Sequence, residues 1–192
     1  MKIFRAVPHA NIGETFAWRK DTRLPSNVPY FVDNLWEFTR PADKPSRRRA
    51  VFGSPTAAVA LESASADLLT REGYAVGLVE FQGPTPVPFQ ISVKDARYHK
   101  DIGKLQKLAK EAFQGDTRRN FENRLALAPL FLPGMTTDEL ATAMNSSVEL
   151  AAMVQRLAAA VTIWNDIADP ELGEISFELT PQTSFSLRTD LL

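Results

Sequence analysis

Between Asp101 and Trp164 the apolar positions follow a helical period, and every strand-like run in the chain lies before or after that block. Four helices are expected there, over residues 103–113, 118–127, 137–144 and 147–164. In the last, Leu150, Met153, Val154, Leu157, Val161 and Trp164 recur at spacings of three and four, which lays one apolar stripe along a helix. Thr136 or Thr137 suits the N-cap of the third, with Glu139 in its first turn. Strands at both ends of a helical block make an α+β fold the economical architecture, with a single mixed or mainly antiparallel sheet.

The flanking segments fill in that picture. Residues 3–7 (IFRAV) read as a strand stopping at Pro8. Residues 8–29 hold few periodic apolar positions and several turn formers, so a long loop is expected, with Trp18 anchoring it. Residues 30–38 carry a helical face between Pro29 and Pro41. A basic connector with the run Arg47-Arg48-Arg49 then leads into a strand at 50–53. Ser54-Pro55 reads as N-cap and first helical residue of a helix over 56–71, with Gly73 as its C-cap. Residues 74–81 and 87–93 read as strands joined by the turn at 82–86. Near the end, EISFEL at 174–179 alternates strictly, and 184–187 reads as a last strand.

A chain of 192 residues is long enough for one domain with a buried core, and 1–192 is expected to form one. A formal net charge of -1 supplies no global attraction to nucleic acid or an anionic membrane. The absence of cysteine removes disulfides, thiolate nucleophiles and Cys-based zinc sites. His9 and His99 are too far apart in sequence to suggest a metal site, and none is expected. The first residues lack the apolar core of a secretory signal, and no apolar run is long enough to span a bilayer, so a cytoplasmic location without membrane association is expected.

No Gly-x-Gly-x-x-Gly, P-loop or Gly-x-Ser-x-Gly motif is present. What stands out is an order: Arg5 on the first strand, Ser54 and Thr56 where a strand turns into a helix (AVFGSPTAAVALE), and Glu174 and Glu178 on a late alternating strand. This order resembles the ADP-ribosyltransferase superfamily, and residues 50–62 are also similar to its toxin branch known as the RES domain. The resemblance covers about the first 80 residues and the last 20. It implies that Arg5 grips nicotinamide-adenine dinucleotide (NAD), that Ser54 and Thr56 orient the nicotinamide ribose, and that Glu174, or else Glu178, promotes loss of nicotinamide. Tyr30, Asn34 and the 8–29 loop would close over the cofactor, and ADP-ribose would pass to a protein or nucleic-acid acceptor. The family motif commonly reads Ser-x-Ser, whereas Pro55 intervenes here. Its glutamate often belongs to a Glu-x-Glu pair, whereas Glu174 and Glu178 are four apart, roughly 13 Å at strand rise.

Plainer roles account for the same residues. Arg5 suits an edge-strand surface charge, Ser54 a helix cap, Glu174 and Glu178 the solvated face of a strand, and Arg47-Arg48-Arg49 a solvated loop. His99, between Tyr98 and Lys100, reads as a surface or interface residue, and Trp36 and Trp164 as core. These readings favour a non-enzymatic inhibitor or adaptor that binds a protein partner. Nucleic-acid binding through Arg40, Arg47, Arg48 and Arg49 with Tyr30 and Trp36 is a third reading, opposed by the neutral net charge.

Overall fold

Residues 1–64, 71–113 and 117–189 are described by the computed structural model. Its first strands and helices are β1 Phe4–Pro8, β2 Phe16–Ala17, α1 Tyr30–Phe38, β3 Val51–Gly53, α2 Ala57–Ala64, β4 Tyr74–Gln82 and β5 Phe89–Gln90. They are followed by α3 Lys100–Ala112, α4 Thr117–Phe131, α5 Thr137–Ser146, α6 Val148–Ala158, β6 Ile175–Phe177 and β7 Ser184–Arg188. The fold is α+β, and every strand pairing among the described residues is antiparallel. Two sheets form where one was expected, in the orders β1-β4-β7-β2 and β3-β6-β5.

The chain divides into two compact units. One comprises Met1–Thr22, Ala42–Ala96 and Asp166–Leu192, and carries the seven described strands with α2. The other comprises Arg23–Pro41 and Arg97–Asn165, and holds the remaining five described α-helices.

In the strand-bearing unit, β4 pairs with β1 on one side and β7 on the other, Leu78 facing both Phe4 and Arg188. The expected turn after β4 forms, but β4 and β5 do not pair. They enter different sheets because β7 supplies the partner of β4 and β6 that of β5. The core gathers Ile3, Val7, Val79, Ile175, Phe177, Leu179, Phe185 and Leu187 from both sheets. Phe177 meets Phe81 and Phe185 edge-on at centroid distances of 5.1 and 5.8 Å, the arrangement that the ring quadrupole favours. The expected 8–29 loop contains β2, whose Phe16 stacks on Phe185 at 4.8 Å. Phe16 thus holds this stretch, whereas the expected anchor, Trp18, is exposed.

The helix after β3 starts two residues later than its Ser-Pro signal suggests. Thr56 Oγ1 accepts the Val59 N–H at 3.3 Å, so Thr56 takes the capping role expected of Ser54. The continuation of this helix over 65–70 lies outside the described residues.

In the helical unit, α1 spans the expected residues and buries Phe31, Val32, Leu35 and Trp36. The capping box expected at α5 is present: Thr136 Oγ1 accepts the Glu139 N–H, and Glu139 accepts the Thr136 N–H. α6 buries Leu150, Met153, Val154 and Leu157 but stops at Ala158, short of the expected Trp164. Its stripe continues off the helix because Asp101, at the start of α3, captures the amides of Thr162 and Ile163 at 2.9 and 3.0 Å. Those amides are thereby drawn out of a helical ladder. Asp101 also accepts Thr162 Oγ1 at 2.6 Å and Trp36 Nε1 at 3.1 Å. The Trp164 indole donates to the Trp36 carbonyl at 3.0 Å, so both tryptophans are core, as expected. No described helix is long and apolar enough to cross a membrane.

Candidate functional site

Arg5 and Ser54 come together because β1 runs beside the end of β3. Phe4 and Ser54 exchange both backbone hydrogen bonds at 2.8 Å. Gly53 permits that approach, since a Cβ there would stand 2.6 Å from Ile3 Cγ2 and 2.9 Å from the Phe4 carbonyl oxygen. Ser54 is therefore a buried bridging residue and not a helix cap. Arg5 lies on an edge strand of its sheet, as a surface charge would, yet its guanidinium turns inward and donates to the Phe52 carbonyl.

Glu174 and Glu178 flank β6, and neither is a solvated strand position. Arg47 Nη1 donates to Glu174 Oε1 at 2.7 Å, with the two side chains only 8% and 10% exposed. The Ala96 N–H reaches the other oxygen of Glu174 at 3.4 Å. Glu178 accepts Arg49 Nε at 2.9 Å and the Ser46 N–H at 3.0 Å. The arginine run is thus a strap that matches two carboxylates, with Arg48 buried between its neighbours. This corrects the expectation of a solvated loop. Two guanidiniums find carboxylates more than a hundred residues away, and charge-assisted bonds of this length hold the strap down.

Phe52 is the meeting point. Arg5 bonds its carbonyl, while the Arg47 guanidinium carbon sits 4.7 Å from the centre of its ring, a cation–π contact. Arg5 and Arg47 thus both touch Phe52, one at its carbonyl and the other at its ring, Arg47 links that ring to Glu174, and Ser54 is bridged to Phe4. Glu178 is engaged separately through Arg49. Thr56 faces its own helix terminus. Of the residues in this cluster, Arg47 was the one not singled out by its own position. The signal for it was the match between a basic run with charges two apart and two glutamates on one alternating strand.

The other candidates belong to the helical unit. Tyr30, at the first turn of α1, is exposed. Asn34 is buried, and its amide nitrogen donates to the carbonyls of Leu130 and Leu132 at 2.8 Å each. Both of its hydrogens are used in closing the end of α4. His99, expected at the surface, is only 2% exposed and caps α3, its Nδ1 accepting the Asp101 N–H at 3.2 Å. Its neighbour Tyr98 takes the exposed position instead. The basic and aromatic residues considered for nucleic acid are largely spoken for. Trp36 and Arg48 are buried, Arg40 pairs with Glu37 at 2.9 Å, and Arg47 and Arg49 hold the glutamates.

Chemically, these groups already have protein partners: Arg5 donates to the Phe52 carbonyl, Arg47 pairs with Glu174, Arg49 pairs with Glu178, and Ser54 is buried at a strand end. No protein-family model, curated protein or solved structure matches the chain.

Proposed function

We propose that the strand-bearing unit binds NAD and transfers its ADP-ribose to a protein or nucleic-acid acceptor, in the manner of an ADP-ribosyltransferase. What supports this reading is the order of Arg5, Ser54 and Glu174 in the chain, together with the links each makes near β3: Arg5 to the Phe52 carbonyl, Ser54 to Phe4 across a backbone bridge, and Glu174 to Arg47, which stacks on the Phe52 ring. Arg5 holds the dinucleotide through its guanidinium, and Ser54 and Thr56 orient the nicotinamide ribose. Nicotinamide departs with the electron pair of the C–N glycosidic bond, leaving an oxocarbenium-like ribosyl group. A fixed carboxylate beside it, that of Glu174, stabilises the positive charge. The acceptor then forms a bond to the same carbon and loses its proton. Glu178 takes the second place for this role, because its distance along the strand separates it from Glu174.

The test is release of nicotinamide from NAD by the purified protein, with water or a mixed extract of protein and RNA as acceptor. Release that disappears in Arg5→Ala and in Glu174→Gln supports the reading. Equal release by the wild type and both variants, or none by the wild type, counts against it.

One observation favours a second reading, a protein-binding inhibitor or adaptor on the same fold. Both candidate carboxylates are held by arginines, so neither stands ready to face a ligand. On this reading the strap and its glutamates only fasten the sheet. The protein then binds a partner with no requirement for NAD, and Glu174→Gln leaves that binding intact.

A further inference from the structure

A net charge near zero conceals an uneven distribution, and within the helical unit α3 carries a local excess of positive charge. Leu105 and Ala109 are buried, whereas Lys104, Lys107 and Lys110 are exposed. At 3.6 residues per turn the three lysines share an arc about 120° wide, opposite that buried pair. Neither acid of α3 offsets them. Asp101 is fully buried among its four donors, and Glu111 is paired with Arg156 at 2.7 Å. Lys104 Nζ donates to the Ala160 carbonyl at 3.0 Å, a neutral acceptor that steadies the ammonium without cancelling its charge. Arg97 and Lys100, just before these lysines, already have partners.

Gly103 falls within the same arc. A Cβ there would meet nothing within 4 Å, so packing does not explain a residue that weakens a helix relative to alanine. What it does is leave bare helix backbone among the lysines, where a ligand can approach closely. Tyr98, at the entry to α3, is 59% exposed. We propose that this face binds single-stranded nucleic acid. Lys104, Lys107 and Lys110 neutralise successive phosphates, Gly103 makes room for the strand, and the Tyr98 ring stacks on an unpaired base. From Lys104 to Lys110 the helix rises about 9 Å, the reach of about three stacked nucleotides. Ammoniums act as point charges on phosphate and read no base, so binding is tolerant of sequence. The chemistry of the face selects this occupant. A membrane surface would need apolar side chains beside the lysines, and this arc holds only a glycine with them. An acidic peptide matches the lysines but makes no use of the exposed ring, and a duplex keeps its base faces covered. Every residue invoked lies in the helical unit, so the inference stands independently of the transferase reading.

The experiment is fluorescence anisotropy of the full chain with short labelled oligo(U) and oligo(dT) over a potassium chloride series. Labelled polyglutamate, and vesicles of phosphatidylcholine and phosphatidylserine in equal parts, serve as the other anionic surfaces. Each variant is first checked for a wild-type circular dichroism spectrum. Each phosphate neutralised on a single strand adds about 0.7 to the fall of log K with log salt. Replacing all three lysines (Lys104→Gln, Lys107→Gln and Lys110→Gln together) is therefore expected to flatten that slope by about 2. Tyr98→Ala is expected to weaken binding at least about fivefold with the slope unchanged, and Tyr98→Phe to restore it. Gly103→Leu is expected to unfold at the same or a higher temperature and yet bind less tightly, a combination that a purely structural glycine does not produce. This pattern with either oligonucleotide supports the proposal, and the tighter of the two identifies the strand as RNA or DNA. Absence of oligonucleotide binding by the wild type at low salt overturns it, as does binding unchanged by the triple replacement. Should the triple variant fail to fold, a salt slope undiminished in Lys107→Gln overturns it by itself. Polyglutamate or vesicles bound as tightly as the oligonucleotides, with Tyr98→Ala without effect, assign the face to an acidic protein or a membrane and overturn it too.

Discussion

Replacing Asp101 separates what a buried carboxylate does by accepting from what it does by being charged. Four donors converge on it: the amides of Thr162 and Ile163, the Thr162 hydroxyl and the Trp36 indole. The side chain itself is fully buried. In Asp101→Ala all four lose their acceptor, and an orphaned buried donor costs on the order of 1–3 kcal/mol. Simple addition overstates the loss, because the vacated space admits a water that can serve two or three of these groups. A destabilisation of about 3–5 kcal/mol is expected, in the range for breaking a buried polar network. Asp101→Asn behaves differently. Three of the donors share Oδ2, and only the Thr162 hydroxyl addresses Oδ1. An asparagine can place its carbonyl at Oδ2 and its amide toward the hydroxyl, which turns to accept. Only the charge assistance is lost, about 1–2 kcal/mol. Urea unfolding followed by tryptophan fluorescence measures both variants, since Trp36 and Trp164 sit in this network. A loss below about 1 kcal/mol in the alanine variant, or equal losses in both, refutes the reasoning.

Other expectations are simpler. Gly173→Ala puts a Cβ 1.8 Å from the Ile91 carbonyl oxygen, so a loss of about 3 kcal/mol is expected by denaturant titration; a neutral result contradicts the close packing of that turn. Thr136→Ala removes the N-cap of α5 and is expected to cost about 1 kcal/mol, read in the same way. Glu62 is exposed, and its hydrogen bond and attraction to Lys94 hold its carboxyl below the ordinary glutamate range. Any stabilisation from this pair is present above the unfolded pKa and fades as pH falls through the lower folded value. Lys94→Met is expected to move the Glu62 titration back upward, as followed by carboxyl carbon NMR.

Local signals and distant partners account for where sequence reading succeeded. Helix α1 was legible because Pro29 and Pro41 bracket a helical apolar face, and the α5 cap because Thr136 and Glu139 sit three apart. Both signals are complete within a dozen residues. The end of α6 was not, since Val161 and Trp164 keep helical spacing while an acceptor some sixty residues upstream draws the chain off its helix. Strand β2 has only two residues, too few to show a period. At the candidate site, the order of Arg5, Ser54 and Glu174 was visible, but their environments were not. An alternating Glu–Ile–Ser–Phe–Glu segment looks solvated on one face until the arginines that cover it are known. His99 misled for the same reason, because polar neighbours in sequence say little about which of them a turn will bury.

The proposed cofactor can be tested most directly by titration calorimetry of the purified protein with NAD, using Arg5→Ala as the control. The account predicts saturable binding to the wild type that is lost in the variant, whose folding is checked by circular dichroism. Absence of binding to the wild type at millimolar dinucleotide, or equal binding by both proteins, contradicts it.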